Sequence, residues 1–154
     1  MWVIDFEASG LSKKSYPIEV GLTNGIIEYS ALIKPLPHWQ YWDWLAQSVH
    51  RIPRHKILSA GQAAEDVANE LNKRLAGEVV YCDSIEWDGF WLNVLFTDIA
   101  MSPKFEILDI KELLISDDKA ESYFEEKARL EMSGEFRSHS ALDDARVIRQ
   151  SLTA

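Results

Sequence analysis

Apolar and polar positions divide the chain into runs of strand period followed by runs that alternate between helix and strand. Three strand-like runs come first, Met1 to Phe6, Ile18 to Asn24 and Ile26 to Lys34. Asn24-Gly25 between the second and third predicts a tight antiparallel hairpin, because type I′ turns need positive φ at both central positions. Ser12 to Pro17 is polar, contains proline and reads as the loop that brings the second strand beside the first. Pro35-Leu36-Pro37 ends the third run. From Gly61 to Ala76 the apolar residues Ala64, Val67, Ala68, Leu71 and Leu75 recur with a 3.6-residue period, an amphipathic helix stopped by Gly77. Glu78 to Asp83 then has the pattern of a parallel strand reached by a crossover. A second helix follows over Asp88 to Phe96 with Asp88 near its start, then a fifth strand over Phe105 to Ile110 and a charged surface helix over Lys119 to Met132. The last element opens at Ser138-His139-Ser140 and runs towards the C-terminus. Ser140 with Asp143 three residues later resembles a capping box with aspartate in place of glutamate.

Composition narrows the class without deciding it. The 154 residues suit one domain, and 47% hydrophobic with 27% charged residues is ordinary for a globular protein. The longest apolar runs, such as Phe90 to Phe96, are far too short to span a membrane. An acid already at Asp5, with no basic segment before an apolar run, argues against a signal peptide. The single cysteine, Cys82, suits a small buried strand residue and a reducing, cytoplasmic compartment. A net charge of −9 argues against salt-driven binding to long duplex nucleic acid. The charge is uneven, however. Lys34 to Lys56 holds Lys34, Arg51, Arg54 and Lys56 against the single acid Asp43, with three histidines added, whereas Glu106 to Glu131 sets nine acids against four bases. The first stretch could guide a phosphate chain, and the second reads as a solvated face.

The first strand carries the most pointed chemistry. In Val3-Ile4-Asp5-Phe6-Glu7-Ala8-Ser9-Gly10 the two acids are two residues apart, so Asp5 and Glu7 share one face of the strand at a separation of about 6–7 Å. Such a pair repels unless a cation lies between, and a hard divalent ion is the natural occupant. Strand ends and helix N-termini of α/β folds meet on one side of the sheet. Asp5, Glu7, Asp88 and Asp144 could therefore converge there, with His139 beside them. Two divalent ions roughly 3.5–4 Å apart would neutralise the four carboxylates and clamp the attacking and leaving oxygens of a phosphoryl transfer. A histidine would supply a base for water near neutral pH.

These residues make the chain resemble the DEDDh branch of the DnaQ-like 3′–5′ exonucleases. The resemblance rests on Asp5-Phe6-Glu7-Ala8-Ser9-Gly10, on Asp88 within Glu86-Trp87-Asp88-Gly89-Phe90-Trp91-Leu92, and on His139-Ser140-Ala141-Leu142-Asp143-Asp144-Ala145. It implies an α/β, ribonuclease H-like fold with a central mixed five-stranded sheet, the first three strands antiparallel, flanked by helices, and a single exonuclease domain over residues 1–154. It further implies that Asp5, Glu7, Asp88 and Asp144 bind two Mg²⁺ or Mn²⁺ ions and that His139 deprotonates the attacking water. The product would be a nucleoside 5′-monophosphate released from the 3′ end of single-stranded RNA or DNA or of a short oligonucleotide. Ala8, Ser9 and Gly10 lie where relatives cradle the terminal nucleotide. His50 matches a histidine-containing turn of many relatives, with Arg51 where they carry glycine.

Several alternatives stay open at this level. Asp83 rivals Asp88 for the second-motif carboxylate, although Phe90, Trp91 and Leu92 favour Asp88. Asp143 rivals Asp144, and the five-residue offset from His139 selects Asp144. Trp39, Tyr41, Trp42 and Trp44 either pack a core or stack bases. A metal-dependent hydrolase of small nucleotides and a nucleotide-binding module without turnover are the competing functions, and the expected assembly extends to a homodimer.

Overall fold

The computed structural model describes residues 1–154. Five strands form one sheet: β1 (Trp2–Ala8), β2 (Pro17–Thr23), β3 (Glu28–Leu32), β4 (Val79–Cys82) and β5 (Glu106–Asp109). Their order is β3-β2-β1-β4-β5, with β1 to β3 antiparallel and β4 and β5 added parallel to β1. Six helices flank the sheet: α1 (Trp44–His50), α2 (Arg54–Ala60), α3 (Ala64–Leu75), α4 (Ile85–Asp98), α5 (Asp117–Met132) and α6 (Ala141–Leu152). None is long and apolar enough to cross a membrane.

The pleat of β1 explains where the core sits. Ile4, Phe6 and Ala8 join the larger core with Val67 and Leu71 of α3 and Leu92, Leu95 and Phe96 of α4. Val3 points the other way, into a smaller cluster with Tyr123 of α5 and Ala145 and Ile148 of α6. Asp5 and Glu7 follow Val3 at a period of two and therefore face the α5–α6 side. Both faces of β1 are covered, so its acids are drawn into the interior.

Three local expectations change. The hairpin turn between β2 and β3 is a four-residue loop, Asn24 to Ile27, not a two-residue type I′ turn. The Asn24 side chain accepts Ile26 N–H and Ile27 N–H at 2.9 and 2.7 Å, and Gly25 supplies the positive φ of 91°. This asparagine-centred turn leaves Ile26 and Ile27 outside the strand. The capping box at Ser140 does not form. Ser140 makes no side-chain cap bond, because Asp143 instead accepts Arg137 N–H and pairs with Arg146. Finally, α4 starts at Ile85 with Ser84 as N-cap, which puts Asp88 inside its first turn.

The segment from Trp39 to His50, with no strand or helix assigned from sequence, divides its aromatic residues between two uses. Trp39 is buried, stacks on Tyr16 at 5.3 Å and donates its indole N–H to Asp98 at 2.7 Å. Trp42 lies edge-on to His50 at 5.6 Å. Trp44 begins α1 and is 72% exposed. Core packing thus accounts for the first ring and not for the last.

Close backbone contact seats α6 on the sheet. A Cβ on Gly21 of β2 would lie 2.3 Å from Ala141 C and Leu142 N. Only glycine lets the first turn of α6 come this near the strand. Gly21→Ala is expected to cost about 1–3 kcal/mol through overpacking against rigid backbone, read as a lower urea midpoint. An unchanged midpoint would show that α6 can shift freely.

Candidate active site

The carboxyl ends of parallel β1 and β4 lie at the same edge of the sheet, beside the starts of α4 and α6. Val3 pairs with Tyr81, so continuing the register sets Asp5 level with Asp83, the residue after β4. Five residues further, in the first turn of α4, Asp88 accepts Phe6 N–H at 3.2 Å and so ties that helix to β1. From the other side, α6 presents Asp144 in its first turn. Asp144 accepts His139 N–H at 3.2 Å. That bond steadies His139, whose φ of 61° is a left-handed conformation unusual for a residue with a Cβ.

The side chains converge as two trios. The candidate ligand atoms of Glu7, His139 and Asp144 lie within 4.8 Å of one another, and so do those of Asp5, Asp83 and Asp88. A cleft of 350 Å³ is lined by Asp5, Glu7, Asp83, His139 and Asp144, with Lys127 and Glu131 of α5 closing one side. Four of the five residues singled out in the sequence as catalytic or metal-binding line this cleft, and the fifth, Asp88, is buried beside Asp5. The choice between Asp83 and Asp88 is not exclusive, since both stand by Asp5. Asp143 turns away to Arg137 and Arg146, whereas Asp144 enters the cleft.

The contribution of α5 was missed. Its sequence reads as a solvated charged face, yet Lys127, paired with Glu131 at 3.1 Å, borders the acids. No local signal marks one lysine among the charges of that helix.

Electrostatics make the cluster costly without a cation. Burial first, then the charges of Asp88, Asp83 and Glu7, hold the Asp5 carboxyl well above the usual carboxylate range. Burial and the adjacent Asp144 push Glu7 up to about 9. Asp88 is raised by burial and by Asp83, against the pull of Phe6 N–H. Asp144 rises to about 6, mainly by burial, with His139 acting the other way. One oxygen of Asp5, Oδ2, is buried without a hydrogen-bond partner. An unpartnered buried carboxylate oxygen among further acids is what an oxygen-seeking divalent cation would satisfy. The carboxylate donors fit a hard divalent cation such as Mg²⁺ or Mn²⁺.

The expected nucleotide-cradling residues are placed less openly. Ala8, Ser9 and Gly10 are buried, and the Ser9 hydroxyl accepts Tyr16 N–H at 3.2 Å, so it already has a structural partner. Tyr41 and Asp43 close over Gly10, where a Cβ would meet them at 2.7 and 2.9 Å. His50 is buried too, at the C-terminus of α1, and burial lowers its pKa to about 4. Arg51 after it adopts φ 62°, the conformation for which glycine is favoured.

No family model matches the chain, and no curated protein matches it. Solved structures do. The nuclease domain of 3′hExo, a DEDDh family member bound to rAMP, aligns with a TM-score of 0.70 and 18% identity over 97% of this chain and 88% of that one. Escherichia coli exonuclease I in complex with a dA16 oligonucleotide gives 0.75 and 12% identity over 99% of this chain and 40% of its own. Exonuclease I of Methylocaldum szegediense gives 0.68 and 16% over 99% of this chain. The chain spans 39% of that exonuclease I. The fold is therefore the ribonuclease H-like fold of the DEDDh exonucleases. Within it, the neighbours this chain resembles include a nuclease domain of nearly its own size.

These shifts set how stability depends on pH. A carboxyl whose folded pKa exceeds its unfolded value binds more protons in the native state. Its stabilising effect is full below the unfolded value and is lost as pH rises through the folded one. For Glu7 that window runs from 4.5 to about 9, and for Asp144 from 3.8 to about 6. The metal-free protein is expected to melt at a lower temperature near pH ~8 than near pH ~5.5, and Mn²⁺ to raise Tm more at the higher pH. Asp5→Asn should raise the metal-free Tm and reduce the Mn²⁺ increment. A metal-free Tm that is flat across this range, or a Mn²⁺ increment that survives the substitution, would remove the acids from a cation site.

Proposed function

We propose that the chain is a single, metal-dependent 3′–5′ exonuclease domain. It would hydrolyse single-stranded nucleic acid or short oligonucleotides from the 3′ end to nucleoside 5′-monophosphates. The observation that carries this reading is the convergence of Asp5, Glu7, Asp144 and His139 on one cleft, with Asp88 buried beside Asp5, in a fold shared with DEDDh exonucleases. Asp5, Glu7, Asp88 and Asp144 would hold two Mg²⁺ or Mn²⁺ ions, and the unpartnered Oδ2 of Asp5 favours this. Bound divalent ions would supply charge neutralisation and Lewis acidity at the attacking and leaving oxygens.

His139 would accept the proton of the attacking water at an imidazole nitrogen. Its ring is exposed in the cleft beside Glu7 and Asp144, where a water and a scissile phosphate can reach it. The bond from its backbone N–H to Asp144 positions base and acid together. The terminal nucleoside would lie against the backbone of Ala8, Ser9 and Gly10. Their small side chains permit close approach, and Ser9 would act through its main chain since its hydroxyl is bound to Tyr16. The relatives were solved with rAMP in one case and dA16 in another, so the fold accommodates both sugars. A homodimer finds no support in the comparisons.

The test uses 5′-labelled single-stranded RNA and DNA of one sequence with Mn²⁺, Mg²⁺ or EDTA. A metal-dependent ladder shortening from the 3′ end is expected. Glu7→Gln and Asp144→Asn should each abolish it while leaving the fold intact by circular dichroism. His139→Ala should slow turnover by roughly 10²–10⁴-fold, the usual contribution of a general base, without removing the Mn²⁺-induced rise in Tm. Absence of shortening on both strands would refute the exonuclease. Loss of the Mn²⁺ effect in His139→Ala would make this histidine a ligand in place of a base.

A further inference from the structure

Asp83 lines the acidic cleft without a task among the four proposed ligands. It follows the last residue of β4, and the pleat of that strand decides where it points. Tyr81 packs against the smaller cluster under α5 and α6 and Cys82 joins the larger core, so Asp83 returns to the α5–α6 face. Asp5 occupies the same face at the same level of the paired strand. Asp5, Asp83 and Asp88 each offer an oxygen within 4.8 Å of the other two.

The ordinary roles of an aspartate at this position belong to other residues. Asp83 precedes Ser84, the N-cap of α4, where an acid could accept a free helix N–H. Ile85 N–H, however, goes to Asp109 Oδ2 at 3.1 Å. Asp83 forms no ion pair either, and Lys127, the only lysine or arginine on the wall of the cleft, is bound to Glu131 at 3.1 Å. An acid without a counter-ion beside two buried acids only adds repulsion, unless a cation lies among them. Independently of that charge, Oδ2 of Asp5, a residue 8% exposed, is buried with no hydrogen-bond partner. Asp88 has already committed Oδ1 to Phe6 N–H. A hard cation such as Mg²⁺ seeks about six oxygen donors, and Asp5 and Asp88 alone supply few of them. Asp83 adds a third carboxylate, the exposed one of the trio, open to an ion arriving from solvent.

We propose that Asp83 is a fifth carboxylate ligand, holding a divalent cation together with Asp5 and Asp88. Strand cleavage by that cation rests on the exonuclease reading above; its capture by Asp83 does not. The choice between Asp83 and Asp88 then disappears, because the end of β4 and the first turn of α4 each give one acid to the same ion.

The test titrates Mn²⁺ into the metal-stripped full chain without nucleic acid and reads binding by calorimetry. Asp83→Asn is expected to weaken the tightest Mn²⁺ dissociation constant about tenfold or more. Glu86→Gln removes the same charge from an exposed acid three residues away and outside the cleft, and should change that constant about twofold or less. An unchanged constant in Asp83→Asn overturns the assignment, and so do equal losses in the two variants, which would report long-range charge alone. Asp83→Cys separates a ligand from a residue that only steers Asp88. With Cd²⁺ its thiolate should give a saturable thiolate-to-cadmium charge-transfer absorption in the ultraviolet. The unsubstituted chain should lack it, since its single cysteine, Cys82, is buried in the core. Because Asp83 is exposed, these substitutions leave the core untouched. Weakened Mn²⁺ binding in Asp83→Asn without that absorption in Asp83→Cys would make Asp83 a positioning residue and overturn it as a ligand. Asp83-dependent Mn²⁺ binding in a chain that shortens neither RNA nor DNA would keep this site and remove the exonuclease.

Discussion

The mutual repulsion of acids that the fold itself desolvates is the constraint around which this molecule is arranged. β1 runs through the middle of the sheet with a helical layer over each face, so Asp5 is buried and Glu7 half-buried. Asp88 and Asp144 arrive from the first turns of α4 and α6 and make the field more negative. Helix N-termini offset part of this, since their free N–H groups favour anions nearby. The remainder shows in the upward shifts of Asp5, Glu7, Asp88 and Asp144. A protein that holds acids this way carries a standing electrostatic strain that a divalent cation would release.

Backbone geometry delivers the acids to that point, more than side-chain packing does. Gly21 lets α6 rest directly on β2, and the Phe6 N–H bond fixes α4 against β1. His139 holds a left-handed conformation beside Asp144, and Arg51 holds another at the end of α1. Strained residues of this kind persist where the surrounding structure over-determines them. Both border the same stretch of surface, His139 lining the acidic and the basic cleft alike. The two clefts carry opposite charge, carboxylates in one and Arg51, Lys56 and Arg137 around the other.

The aromatic stretch shows why local pattern stops short. Trp39, Tyr41, Trp42 and Trp44 look equivalent in sequence, yet Trp39 is locked to Tyr16 and Asp98 while Trp44 faces solvent. The partners that separate them come from elsewhere in the chain, Asp98 lying 59 residues from Trp39. Lys127 is similar: its helix was legible, but its proximity to Asp83 depends on how α5 packs across the sheet.

Sequence alone determined the order of the five strands and of four of the six helices, α1 and α2 excepted, the alternation that puts Asp5 and Glu7 on one face, and the spacing that separates Asp144 from Asp143. These are local properties, written in periods of two and 3.6 residues and in motif offsets. Tertiary structure decided that Asp83 joins Asp88 beside Asp5, that Asn24 makes a longer turn, that Asp143 leaves Ser140 uncapped for Arg137 and Arg146, and that His50, Arg51, Lys56 and Arg137 surround one cleft. The Phe6 to Asp88 and Ala141 to Glu19 bonds span 82 and 122 residues. Contacts at such separation are set by layer packing and by one glycine's missing Cβ, and neither leaves a periodic trace in the chain.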